Sequence, residues 1–166
     1  MTDQLKAIAK ESIPRALEKA ERYRLLNEPF FAESICLDIL AIDPVNQQAL
    51  ITYVLAVTDQ FPSGFQGVPR AMAAVAKLSG AYEKLYYAGI VAERRAVAQL
   101  HRGHHGARDA AWDLLHKAMA LYEQADAAQK DSSNDDAVLR FNTCTRLIAA
   151  HGLIEPSGEL PEYPLE

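Results

Sequence analysis

Apolar residues recur every three or four positions along most of this chain, and that period belongs to helices. Ile13, Ala16, Leu17 and Ala20 run on to Tyr23, and Leu5, Ile8 and Ala9 precede them at the same spacing. Phe31, Ile35 and Ile39 form a second stripe flanked by Ala32, Cys36 and Leu40. Ala49, Tyr53 and Ala56 form a third, flanked by Leu50, Val54 and Val57. Further along, Trp112, Leu115, Met119 and Tyr122 make a core-facing stripe, as do Val138, Phe141, Thr145 and Ile148.

The breaks between stripes are chemically distinct. Pro14 is tolerated only in a first turn, which predicts a short leading helix near 2–12 and a second over about 14–26, or one kinked helix. Asn27-Glu28-Pro29 supplies a cap and a first-turn proline for the next helix, and Asp43-Pro44 ends it, with Asp43 placed to cap a further one. The segment 61–69, FPSGFQGVP, is a loop longer than a tight turn. A helix over 69–78 closes at Ser79-Gly80, and a long one runs from Ala81 to about Arg102. Gly89 inside it costs about 1 kcal/mol against alanine, so another helix is expected to pack close there. After the His-Gly-rich link HRGHHG a helix follows over about 107–129, and Ser133 or Asn134 can cap the last one, with Asp135 and Asp136 in its first turn. About seven helices on short links predict antiparallel neighbours in an all-α domain over 1–152, followed by a Pro-rich acidic tail, 153–166, expected to be extended and partly mobile.

Composition excludes several classes. Hydrophobic residues are 49% and charged residues 23%, which suits a folded domain rather than a disordered chain. No run of 18 apolar residues supports a membrane span, and the first residues lack the pattern of a secretory signal. The net charge of −5 speaks against general nucleic-acid binding. Cys36 and Cys144 stand far apart at helix-interior positions, which fits a reducing, cytoplasmic setting. Charge is segregated. Residues 25–60 hold five acids and no Lys or Arg, whereas 69–102 hold six bases against two acids, so the blocks can complement each other within the fold or between subunits.

Ala16, Ala20 and Tyr23 on one helix, Ala32, Cys36 and Ile39 on the next, and the closing Asp43-Pro44 resemble the tetratricopeptide repeat. The helix beginning at Gln47 restarts 34 residues after Ile13, the period of that repeat. Ala118, Tyr122 and Ala125 echo it less fully over 106–150, and the 61–68 segment, Ser79-Gly80 and Gly89 depart from a regular register. The resemblance implies paired antiparallel helices in a right-handed superhelix, with a concave groove for a peptide or protein partner.

Five side-chain groups carry chemistry worth weighing. His101, His104 and His105 fall within five residues and, with Asp109, could hold zinc, nickel or copper, though their spacing fits a solvated linker better. Tyr87 and Arg94 share a face of the long helix and are candidates for receiving a partner carboxylate; the structural alternative pairs Arg94 or Arg95 with the acidic 25–60 block. Asn134, Asp135, Asp136 and Arg140 lack the glycine and glutamate of a calcium loop and read as helix capping. Cys144 between Thr143 and Thr145 has no histidine near it and reads as inert. Phe61 and Phe65 in the 61–68 loop are candidates for an association surface.

No phosphate loop, dinucleotide fingerprint, paired-histidine metal helix or serine elbow is present, so no catalytic residue and no cofactor is expected. The sequence points to a non-catalytic protein- or peptide-binding scaffold using a helical groove, with no nucleic-acid or membrane partner. The alternatives are a self-assembling structural domain, a homo-oligomer, and a metal-dependent protein built on the histidines.

Overall fold

The computed structural model describes residues 4–157, and seven α-helices with two single 3₁₀ turns are its regular structure. The helices begin where the residues favour it. α1 (Ile13–Leu25) and α2 (Pro29–Ile42) carry proline in the first turn, where its missing N–H would have had no helical partner. α3 (Gln47–Asp59) is capped by Asn46, whose side-chain oxygen accepts from the Ala49 N–H at 3.0 Å. α4 (Val68–Ala76) again starts on a proline turn, and α5 (Ala81–Arg102) stops at Gly103, left-handed at φ 63°. α6 (Ala107–Ala128) and α7 (Asp136–His151) follow. No described helix is long and apolar enough to cross a membrane.

Three local expectations are corrected. Residues 4–9 are not helical and Lys10–Ser12 form one 3₁₀ turn; Leu5 is 96% exposed, and of Leu5, Ile8 and Ala9 only Ile8 packs, beside the Ile13 and Leu17 cluster. Asp43 does not cap α3; it accepts a hydrogen bond from Asn46 Nδ2 at 3.1 Å, and Asn46 does the capping. The inner face of α7 is centred on Ala137 and Cys144, with Phe141, Leu147 and Ile148 packed beside them, while Val138 and Thr145 are exposed. Small residues hold the centre and the bulk lies on the flanks. The remainder of the expected tail, 158–166, lies outside the described residues.

Each helix packs on its successor, and in addition α1 packs on α3 and α3 on α5. These three therefore lie side by side. Their first residues, Ile13, Gln47 and Ala81, follow one another at intervals of 34. Two main apolar cores result. One, from Ala20 and Cys36 to Val91, joins α1 through α5; the other, with Ile90, Leu115, Tyr122 and Cys144, joins α5, α6 and α7. A small cluster of Ile13, Leu17, Ile39 and Ala49 ties α1 to α2 and α3. Burial of a large apolar side chain contributes about 1.5–3 kcal/mol, so these cores supply the main drive to fold.

α5 and α6 share the most extensive interface. Gly89 makes it possible: a Cβ there would stand 2.5 Å from the Tyr122 ring, which is itself wholly buried. The close approach expected of this glycine is thus present. Trp112 and Met119 flank the α6 stripe half-buried, with Leu115 and Tyr122 at its centre.

Candidate functional site

The row of α1, α3 and α5 presents a polar seam. Asp59, at the end of α3, accepts from Arg24 Nε of α1 at 2.8 Å and from Arg94 Nη1 of α5 at 2.6 Å. Arg94 Nη1 also reaches Thr58 Oγ1 at 2.7 Å and the Leu55 carbonyl at 3.1 Å. One residue earlier on α5, Glu93 is 4% exposed and accepts from Tyr122 Oη of α6 at 2.6 Å and from Arg140 Nη1 of α7 at 3.0 Å. Two carboxylates thereby hold three guanidinium groups and tie together α1, α3, α5, α6 and α7.

The electrostatics follow from burial. Burial pushes the Arg94 guanidinium below its ordinary value, against the pull of Asp59, and Arg24 and Arg140 push in the same direction as burial. Burial also works against charge on Arg140, yet Glu93 beside it holds the group above its usual range. Tyr122 Oη is driven well up by burial and by the Glu93 carboxylate, so it stays a donor. Arg24, Arg94 and Asp59 remain between a fifth and a quarter exposed, and Arg140 about a third, so the seam is open to solvent along one edge.

Beside it lies a shallow depression between α1 and α3. Glu21, Arg24, Leu25, Gln47, Gln48, Ile51, Thr52 and Leu55 line it, and Gln48 Nε2 donates to Glu21 at 2.8 Å. Gln48, Thr52, Leu55 and Asp59 recur at helical spacing, so one face of α3 carries the depression into the ion pair. The arrangement can orient a carboxylate or a peptide amide.

The residues singled out in the sequence are distributed as follows. Arg94 lies in the seam, paired to the acidic block through Asp59, and Glu33 of that block pairs with Arg70 and accepts from Gln60 Nε2 at 2.6 Å. These contacts of the two charge blocks are made within the chain. Tyr87 is half-buried and packs against both main cores, where burial pushes its phenol up to about 12. That packing takes up part of its ring and leaves the rest exposed. Phe61 is 1% exposed, packed edge-on to Phe65 at 6.0 Å, so its ring cannot form the exposed patch expected of it. Burial of the 61–68 loop is the reason: its 3₁₀ turn folds inward onto Val57, and Gly67 there sits where a Cβ would meet Val57 at 2.5 Å. Phe65 is half-buried with the Arg95 and Arg102 guanidinium groups over its ring at 5.8 and 5.1 Å.

His101, His104 and His105 are exposed, at the last turn of α5 and in the loop after it. Among the described residues no group of three or more His, Cys, Asp or Glu is placed to hold a metal ion. Cys36 and Cys144 are buried free thiols. Of the capping group, Asn134 Oδ1 accepts from the Asp136 N–H at 3.0 Å, while Arg140 belongs to the seam.

Sequence reasoning missed Arg24, Asp59, Glu93 and Arg140 as one system. A signal existed for Glu93, a charged residue whose neighbours a turn away are Gly89, Ile90, Ala96 and Val97. Comparison of the chain with protein-family models, with curated proteins and with solved structures returns no match.

Proposed function

We propose that this chain is a non-catalytic protein- or peptide-binding module whose recognition face is the row α1, α3, α5, and that it takes acidic segments. The observation that carries this reading is the charge of the seam. Three arginines meet two carboxylates on a partly open face of a chain whose net charge is −5. An excess guanidinium beside a groove with amide and hydroxyl walls is suited to a carboxylate on an extended partner. Two successive 34-residue intervals and the side-by-side packing of α1, α3 and α5 support a tetratricopeptide-like superhelix for the first five helices, with the row as its inner face. The two buried thiols favour a reducing compartment such as the cytoplasm.

The test is to pan a random peptide library against the full chain and measure the enriched sequences by calorimetry. Enrichment in Asp and Glu is expected, with affinity falling about tenfold in an Arg24→Gln/Arg140→Gln variant of unchanged helicity and falling with added salt. Enrichment of uncharged sequences, or affinity indifferent to both substitutions, would count against this face.

A further inference from the structure

The far side of α1 carries a second surface, separate from the seam. Ile13, Leu17 and Ala20 turn α1 inward, and the opposite side shows Arg15, Lys19, Arg22 and Leu26 at spacings of four, three and four. All four are exposed, and with Glu18 and Tyr23 they line one shallow hollow. The hollow runs into aromatic rings. Lys19 Nζ lies 5.9 Å over Tyr23, Tyr23 packs on Phe31 at 5.4 Å, and Phe31 packs on Phe30 at 5.8 Å. Phe30 is 66% and Phe31 50% exposed, and Leu26, which lines the hollow, is 65% exposed. Isolated apolar residues on a surface mean little, but a contiguous aromatic patch of this kind marks an interaction site.

Its occupant is written elsewhere in the same chain. Residues 155–166 carry Glu155, Glu159, Glu162 and Glu166 with no Lys or Arg, and between them Leu160, Tyr163 and Leu165. They also contain Pro161-Glu162-Tyr163-Pro164, the proline spacing that docks on aromatic-lined grooves at little entropic cost. Acid meets base, and apolar side chains meet aromatic rings. α7, from which this segment continues, packs on α6, whereas α1 packs on α2 and α3, so the segment starts at the opposite end of the succession of packed helices from this face, and a second copy brings the two together.

We propose that the outer face of α1, with Phe30 and Phe31, receives residues 155–166 of a second copy of this chain. The contact is heterologous, tail to face, so a reciprocal exchange closes a pair and a one-way exchange builds larger rings or open chains.

Sedimentation velocity of the full chain over a concentration series tests it, with Lys19→Glu/Arg22→Glu on the face, Glu159→Lys/Glu162→Lys on the tail, and all four together. All are charge reversals, and the two on α1 are at exposed positions outside the cores. Wild type is expected to associate as concentration rises. Either reversal shifts the association midpoint at least tenfold upward, and the fourfold variant returns to within about threefold of wild type, which a general loss of solubility or fold would not do. A monomer at every concentration overturns the proposal, as does association that the reversals leave unchanged or that the fourfold variant fails to restore. Pelleting of a monomeric wild type with phosphatidylserine vesicles, lost in Lys19→Glu/Arg22→Glu, makes an anionic membrane the occupant and overturns it as well.

Discussion

A methyl group at position 89 has two opposed effects. It improves helix propensity by about 1 kcal/mol, and it drives a carbon to 2.5 Å from a ring that is buried on all sides and tethered to Glu93. Overpacking of this kind costs about 1–3 kcal/mol, so Gly89→Ala is expected to be a net loss of up to about 2 kcal/mol, read as a lowered urea midpoint. Glu93 is the second residue on which the interior depends. Glu93→Ala leaves Tyr122 and Arg140 without their acceptor, and a loss of about 3 kcal/mol is expected, the low end for a broken buried pair because Arg140 can relax to solvent. A Glu93→Met/Arg140→Met double variant should recover much of it in the same denaturation assay. The thiols give a pH dependence. Burial pushes Cys36 and Cys144 up to about 12 from an ordinary 9.0. Unfolded chains ionise these groups first, so their contribution is complete below pH 9 and declines as pH rises toward 12. Urea midpoints at about pH 8 and about pH 10.5 should therefore fall more steeply for wild type than for Cys36→Ala/Cys144→Ala.

Among the elements, α1 packs on one side only. It meets α2 and α3 through the small cluster around Ile13 and Leu17, through Ala20 in the larger core and through the Arg24–Asp59 pair, with its outer side in solvent. Asp59→Asn weakens that tie and leaves Arg94 without its counter-charge, so amide protection in α1 is expected to fall by roughly tenfold while α6 stays protected, measured by native-state hydrogen exchange. The helices themselves were legible from spacing, because proline starts and glycine stops act locally: α2, α5 and α7 all end or begin where such residues stand. The 34-residue step from Ile13 to Gln47 was legible too, and the next, to Ala81, was hidden by the length of the 61–68 loop. What spacing could not reveal is which polar groups are brought together across elements. Arg94 was legible as a notable arginine, but its partner Asp59 is 35 residues away, and only packing of α3 on α5 joins them. Phe61 was misplaced for the opposite reason. An aromatic side chain in a loop has the same local signature whether it turns outward or in, and the fold turned this one inward, while Tyr87 is half-buried against both cores.

At the scale of the molecule, α5 is the shared wall of both main cores, and its packing against α6 is the broadest contact in the fold. The slowest-exchanging amides are expected in the middle of α5 and α6, around Ile90 and Leu115, with α1 and the end of α7 exchanging earlier; the reverse order would mean that the two cores do not rank as their packing implies. Tyr87 stands where the cores meet, touching residues of each. For sequence drift this divides the protein into two neighbourhoods. A change in one core can be absorbed by its own neighbours, whereas a change at position 87 must satisfy both at once, so descendants of this chain should vary there more slowly than at any comparably exposed tyrosine.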